Sequence, residues 1–488
     1  MPRDPNTPTM EERAKIPPGL PRPHPTVSYW QEPPADIADL RTTTDLPAKA
    51  DYVIVGSGIS GVCIAYNILC KQPNASVVAL EARQAASGAT GRNGGHTKAA
   101  SYRSFLDHER ELGLDEAIRI ARLEYANVKA THGFARKHGI TCDATPCSTV
   151  DIMYSQTHLD AGKEAIQRMR ETMGKGDPAA DYRVFDAVQA SKTFLTPSAL
   201  GAFEYAAGSL SAYAFTVGVL KLALSKGLNL QTTTPAESIV SGTESGQTVW
   251  KVKTPRGYIE TPSLILATNG YTAHLLPQMQ GLIVPLHGQV VAQRPGLDLP
   301  QTGLASTYSF VHETGYEYMI TRPPGTPDQG TMVIGGGLWQ LPNSGASRYG
   351  ETDDTTLEPT ITNLLGDCTT EYFGTNWGDD HASGRIRKEW SGIMGASADG
   401  LPYVGAMPDM PAGLWISAAF NGHGMVWCLK AAEALVEMMI GDEAAQRAVD
   451  EWFPRSARMS RDRMGVSFMG RKDLRAPGEA KFGERSRL

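Results

Sequence analysis

The stretch from Asp51 to Glu81, "DYVIVGSGISGVCIAYNILCKQPNASVVALE", restricts the fold more than any other part of the chain. A short apolar run, "DYVIV", stops at Gly56-Ser57-Gly58-Ile59-Ser60-Gly61. "VCIAYNILC" then carries helical spacing, "KQPN" turns the chain, and "SVVALE" is a second apolar run. Strand, tight turn, helix and strand in this order make a βαβ unit, which requires a parallel sheet with helices on its faces. Gly56, Gly58 and Gly61 let the backbone approach an anion at the helix N-terminus, where free N–H groups and the helix dipole favour negative charge. Ile59, Ser60, Ala82 and Arg83 flank that site in sequence. Glu81 ends the second strand, where a carboxylate accepts hydrogen bonds from ribose hydroxyls and disfavours a 2'-phosphate. The pattern predicts a dinucleotide site and does not distinguish NAD from FAD.

Around this unit the chain divides by composition and periodicity. Residues 1–48 are rich in Pro and Thr and predict an extended arm, wrapped on the surface or partly disordered, with little chemistry expected of it. The strand and helix patterns predict an α/β fold with a Rossmann-type domain assembled from 49–143, 213–283 and 386–445. A β-rich α+β substrate domain from 144–212 and 284–385 interrupts it. Residues 446–488 read as a basic C-terminal tail, expected to be mobile. The net charge of -6, from 46 basic and 52 acidic residues, gives no global attraction to nucleic acid or an anionic membrane, so a small-molecule ligand is expected. The six cysteines include no CxxC pair and read as reduced thiols of an intracellular protein. No apolar run approaches the roughly 18 residues of a membrane span, and the N-terminus has no secretory h-region. No metal-ligand spacing and no Ser/His/Asp triad stands out.

Six residues after Glu81 begins "SGATGRNGGH", with four glycines and no large apolar side chain. This run resembles the D-amino-acid oxidase superfamily of flavoproteins, nearest the gamma-glutamylputrescine oxidase-like branch, where a similar run follows the ribose acid. The resemblance makes the nucleotide domain an FAD-binding one. It implies that Ser87, Gly88, Ala89, Thr90, Arg92, Asn93 and Gly94 line the cofactor. It continues through "LILATNGYT" and "EWSGIMGASADGLPYVGAMPDMPAGLWISAAFNGHGM", covering roughly residues 50 to 440. In the last segment Asn421, Gly422, His423, Gly424 and Met425 lead into a helix expected over 425–440, whose N-terminus can face the flavin N1/C2=O edge as negative charge develops there. Where putrescine-type relatives commonly end the glycine run with Gln, this chain has His96. In related dehydrogenases a nearby His is bonded covalently to the flavin, so a covalent bond and a hydrogen bond both stand as readings of His96.

The substrate side departs from the resemblance. Relatives often carry Tyr next to Arg on the strand before the "FGGG" segment, the Arg binding substrate carboxylate. Here Tyr318 is followed by Met319, and Arg322 lies at the strand end as a replacement candidate. His287 falls where relatives often have Arg beside the flavin, and it is a candidate for positioning substrate or oxygen. His287, Tyr318, Arg322 and His423 are the candidate catalytic residues. The expected reaction is oxidation of a primary or secondary amine or amino-acid derivative, with hydride passing to flavin N5 and oxygen reduced to hydrogen peroxide. A dehydrogenase using another acceptor and a flavin-binding protein without turnover are the alternatives. The chain ends Ser486-Arg487-Leu488, similar to the S-K-L peroxisomal address, which predicts a peroxisomal import receptor as a partner.

Overall fold

A computed structural model describes residues 8–468; the Ser486–Leu488 tripeptide lies outside the described residues. The two apolar runs around the glycine turn are strands Tyr52–Val55 and Val77–Leu80, joined by helix Ile59–Lys71. Every residue of both strands is buried, as parallel strands covered on two faces require. They lie within a six-stranded sheet ordered Tyr403–Ala406, Leu414–Ala418, Ser263–Leu266, Tyr52–Val55, Val77–Leu80, Asn229–Gln231. Five strands are parallel, and Tyr403–Ala406 is an antiparallel edge.

Alternation along the strands sends Ile54, Ala79 and Ile265 to one face and Val53, Val55 and Leu264 to the other. Helices Ile59–Lys71, Ala212–Ser225 and Cys428–Ile440 cover the first face. The second packs against Trp250, Val252 and Ile259 of a three-stranded meander, Ser238–Glu244, Gln247–Thr254 and Gly257–Thr261. A separate sheet runs Ile386–Ser397, Ile283–Gln293, Met332–Gly336, Tyr316–Thr321, Thr307–Val311, Thr145–Met153, Gly201–Ser209, His96–Thr97, with Tyr182–Asp186 also on Gly201–Ser209. Its pairings are antiparallel except that of Thr307–Val311 with Thr145–Met153.

Two boundaries differ from the sequence reading. Ile386–Ser397 pairs along the whole of Ile283–Gln293, so it belongs to the substrate sheet and not to the nucleotide domain. Residues 446–468 are not a free tail: helix Glu443–Trp452 is followed by Phe453 and Ala457, both fully buried, and by helix Arg461–Met464. The arm wraps the surface as expected but is anchored in it, with Ser28 fully buried and Trp30 nearly so. No helix among the described residues is long and apolar enough to cross a membrane.

Candidate functional site

A cavity of about 660 Å3 begins at the glycine turn, within the size range of small-molecule sites of roughly 300–1,000 Å3. Gly56 takes φ +109°, and a Cβ there would stand 2.6 Å from the Ala267 carbonyl oxygen. A Cβ on Gly61 would stand 2.0 Å from the Gly56 oxygen. Gly56 therefore brings backbone to the cavity, and Gly61 sets the distance between helix and strand. Gly58 gives helix Ile59–Lys71 no side-chain cap, and the Thr90 hydroxyl accepts from the Ile59 N–H at 3.0 Å, tying the two glycine-rich segments together. Glu81 Oε2 accepts from the Ser57 N–H at 3.0 Å and the Ser57 hydroxyl at 2.7 Å, and its Oε1 accepts from the Arg83 N–H at 3.0 Å. Gly88 lines the cavity with no atom within 4 Å of its would-be Cβ, so a side chain there would project into the ligand space. Glycine cradle, a helix N-terminus opened by Gly58 and a carboxylate together suit the pyrophosphate and ribose of FAD.

Past Gly94 the lining changes to a polar cluster around Asp151, which is fully buried. Lys98 Nζ donates to Asp151 Oδ1 at 2.5 Å and also to Ser309 Oγ; the Arg103 guanidinium meets Asp151 Oδ2 at 2.7 Å. The Tyr102 and Tyr205 hydroxyls donate to the same carboxylate at 2.7 and 3.1 Å. Despite burial, the two cations hold the Asp151 carboxyl well below its usual range. Two cations share this carboxylate, so the cluster is positively charged while Lys98 is protonated. Burial pulls the Lys98 ammonium down to about 7, with Asp151 opposing and Arg103 adding to the shift. Burial, then Arg103 and Lys98, lower His423 to about 4, so its imidazole is neutral at pH 7. Burial raises Glu124 to about 7, against its hydrogen bonds from Ser101 at 2.5 Å and Trp427 at 3.1 Å.

Most of the anticipated residues lie on this cavity: Gly56, Gly58, Ile59, Ser60, Glu81, Ala82, Arg83, Gly88, Ala89, Thr90, Arg92, Asn93, Gly94, His96, Tyr318 and Asn421 through Met425. His96 Nε2 lies 2.6 Å from Thr307 Oγ1, and burial holds its ring neutral. Tyr318 fills the space that side chains at 94 and 335 would need: would-be Cβ atoms there lie 2.4 and 2.5 Å from it. Asn421 and Gly422 take positive φ, and helix Cys428–Ile440 starts three residues later than expected, after a 3-10 turn over Gly424–Val426.

Five residues are placed otherwise than the sequence reading had them. His287 is fully buried but off the cavity: Leu286 and Gly288 line it, while His287 faces Arg348, Glu351 and Asp354. Arg322 pairs with Asp143 at 2.9 Å and lies over Trp30, neither solvated nor on the cavity. Ser87 and Gly61 stand behind the lining. Arg92 lines the cavity, but its guanidinium turns outward to the arm and to the Ser391 carbonyl. Met319 packs in the core beside Tyr308, on the face opposite Tyr318, so even an Arg there would not reach the cavity. The sequence reading passed over Lys98, Arg103 and Asp151. The signal for the first two was "TKAASYR", directly after "GGH". Among the described residues no cluster of His, Cys, Asp or Glu is arranged to hold a metal ion.

Residues 51–438 match the model of the family described as FAD dependent oxidoreductase, DAO. The chain is similar to gamma-glutamylputrescine oxidoreductase of Escherichia coli (strain K12), 22% identical over 434 residues that cover 86% of this chain and 89% of that protein. Among solved structures, glycine oxidase from Geobacillus kaustophilus gives a TM-score of 0.66 at 17% identity, covering 85% of this chain and 99% of its own. L-amino acid deaminase from Proteus vulgaris gives 0.62 at 18% identity, covering 88% and 96%. At these identities the structural likeness speaks to the fold.

Proposed function

Because the chain belongs to the family of FAD-dependent oxidoreductases, we propose that it oxidises an amine or amino-acid derivative bearing an anionic group, with oxygen as electron acceptor. The chemistry FAD supplies is two-electron oxidation of a C–H bond beside nitrogen, hydride passing to flavin N5 and the electrons on to oxygen as hydrogen peroxide. Gly56, Gly58, Glu81 and the 88–94 loop would hold it. The observation that carries the substrate reading is the positive cluster of Lys98 and Arg103 on Asp151, at the polar end of the same cavity. A buried charge in excess favours a ligand of opposite sign. Such a pair would hold a carboxylate, which no side chain at position 319 could do from the core face of its strand. Neutral His423, within reach of Arg103 and Lys98, adds no further positive charge, and oxidation needs the amine itself unprotonated. The resulting imine is hydrolysed by water, and no dedicated base is required of the chain.

The names of the similar proteins, a glutamylated diamine oxidoreductase and two amino-acid enzymes, support an amine joined to a carboxylate. The test is an amine panel offered to FAD-loaded protein while oxygen consumption and peroxide are followed. Amines bearing a carboxylate should be turned over with one peroxide per amine, and their decarboxylated counterparts poorly. Flavin bleaching in air without peroxide would make the chain a dehydrogenase. No bleaching with any amine would leave it a flavin-binding protein without turnover.

A further inference from the structure

The arm expected to carry little chemistry lies against the glycine-rich loop that lines the cavity. Between Thr26 and Gln31 it contacts that loop at consecutive residues. Ser28 Oγ donates to the Gly91 carbonyl at 2.7 Å, and Trp30 Nε1 donates to the Asn93 carbonyl at 2.6 Å. The intervening Arg92 carbonyl accepts from Trp390 Nε1 at 2.8 Å, and Tyr29 of the arm stacks on the Trp390 ring at 6.3 Å. The Arg92 guanidinium closes the contact from the other side, donating to the Thr26 hydroxyl at 2.7 Å and the Gln31 amide oxygen at 3.3 Å. Three successive carbonyls are thus drawn away from the cavity by side-chain donors.

In a trans peptide the C=O and the following N–H point in opposite directions. Trp390 and Trp30 therefore turn the N–H groups of Asn93 and Gly94 toward the cavity that both residues line. Backbone donors fixed in this way stabilise negative charge at no cost in reorganisation, and charge develops on a flavin when it is reduced. Farther along, Gly19, Leu20 and Pro21 of the arm line the same cavity.

We propose that the arm is part of the cofactor site, Ser28 and Trp30 acting as positioning residues that orient the 91–94 peptides and so set how firmly FAD is held and how readily it is reduced. This rests on the FAD reading of the cavity. Trp30→Phe removes the donor while keeping a ring beneath Arg322, and Ser28→Ala removes the other donor. Tyr29→Phe serves as the control, since the Tyr29 hydroxyl bonds Asp328 at 2.8 Å and does not touch the loop. FAD release is followed by recovery of flavin fluorescence on dilution, and the midpoint potential by dye equilibration. Trp30→Phe and Ser28→Ala are each expected to release FAD about tenfold faster, the worth of a lost hydrogen bond, and to shift the potential downward, with Tyr29→Phe unchanged in both. Release and potential equal to the parent in both variants would overturn the inference and leave the FAD reading standing. Equal acceleration in Tyr29→Phe would overturn it too, by tracing the effect to arm attachment in general. A parent chain that takes up no FAD would overturn the reading beneath it.

Discussion

At Lys98 a single charge separates the amines the site is expected to hold. Its ammonium is protonated below about pH 7, and only the protonated form attracts an anion. KM for a carboxylate-bearing amine should therefore rise as pH climbs through 7, while kcat rises with the fraction of unprotonated amine. Steady-state kinetics from about pH 6 to about pH 9 separate the two trends. Lys98→Met should raise KM for such an amine about 10- to 100-fold, the range of charge-assisted hydrogen bonds, and leave KM for an uncharged analogue unchanged. His96 poses a different question. Its Nε2 is held by Thr307, and its Nδ1 is buried without a partner among the described residues. A neutral ring so held should serve flavin through a hydrogen bond, so acid precipitation should leave the flavin in the supernatant. Flavin in the pellet would establish a covalent link.

The turn and the helix it opens are the element on which cofactor binding depends. A methyl group on Gly61 would meet the Gly56 oxygen at 2.0 Å and push helix Ile59–Lys71 off its strand. Gly61→Ala should cost about 1–3 kcal/mol, as overpacking does, and weaken FAD retention; thermal denaturation with and without added FAD reads both. This element was legible in the sequence because its determinants are local: three glycines, a strand on either side and Glu81. His287 was misplaced because successive strand residues face opposite sides, so a resemblance of position does not give the face. Arg322 was misjudged because its partners, Asp143 and Trp30, are remote in sequence. Lys98 meets Asp151 and Ser309 from 53 and 211 positions away, and Thr26 meets Ser391 from 365. No periodicity or motif encodes such meetings.

Across the whole molecule, the cavity lies where the two sheets meet, bracketed by the arm and by the C-terminal segment. Arg463 anchors the latter: it forks onto Asp399 with two bonds of 2.7 Å, donates to the Leu401 and Pro402 carbonyls, and lies 4.0 Å over the Tyr403 ring. Leu401 and Pro402 in turn line the cavity. Arg463→Ala should destabilise the protein by about 3–5 kcal/mol, as breaking one side of a buried pair does, seen as a lowered Tm. The function is tested most directly by adding a carboxylate-bearing amine to the FAD-loaded protein without oxygen and then admitting air. The flavin band should bleach on addition and recover in air, with one hydrogen peroxide formed per amine consumed. A flavin band that no amine of the panel bleaches, or a bleached band that stays bleached in air, would contradict an amine oxidase.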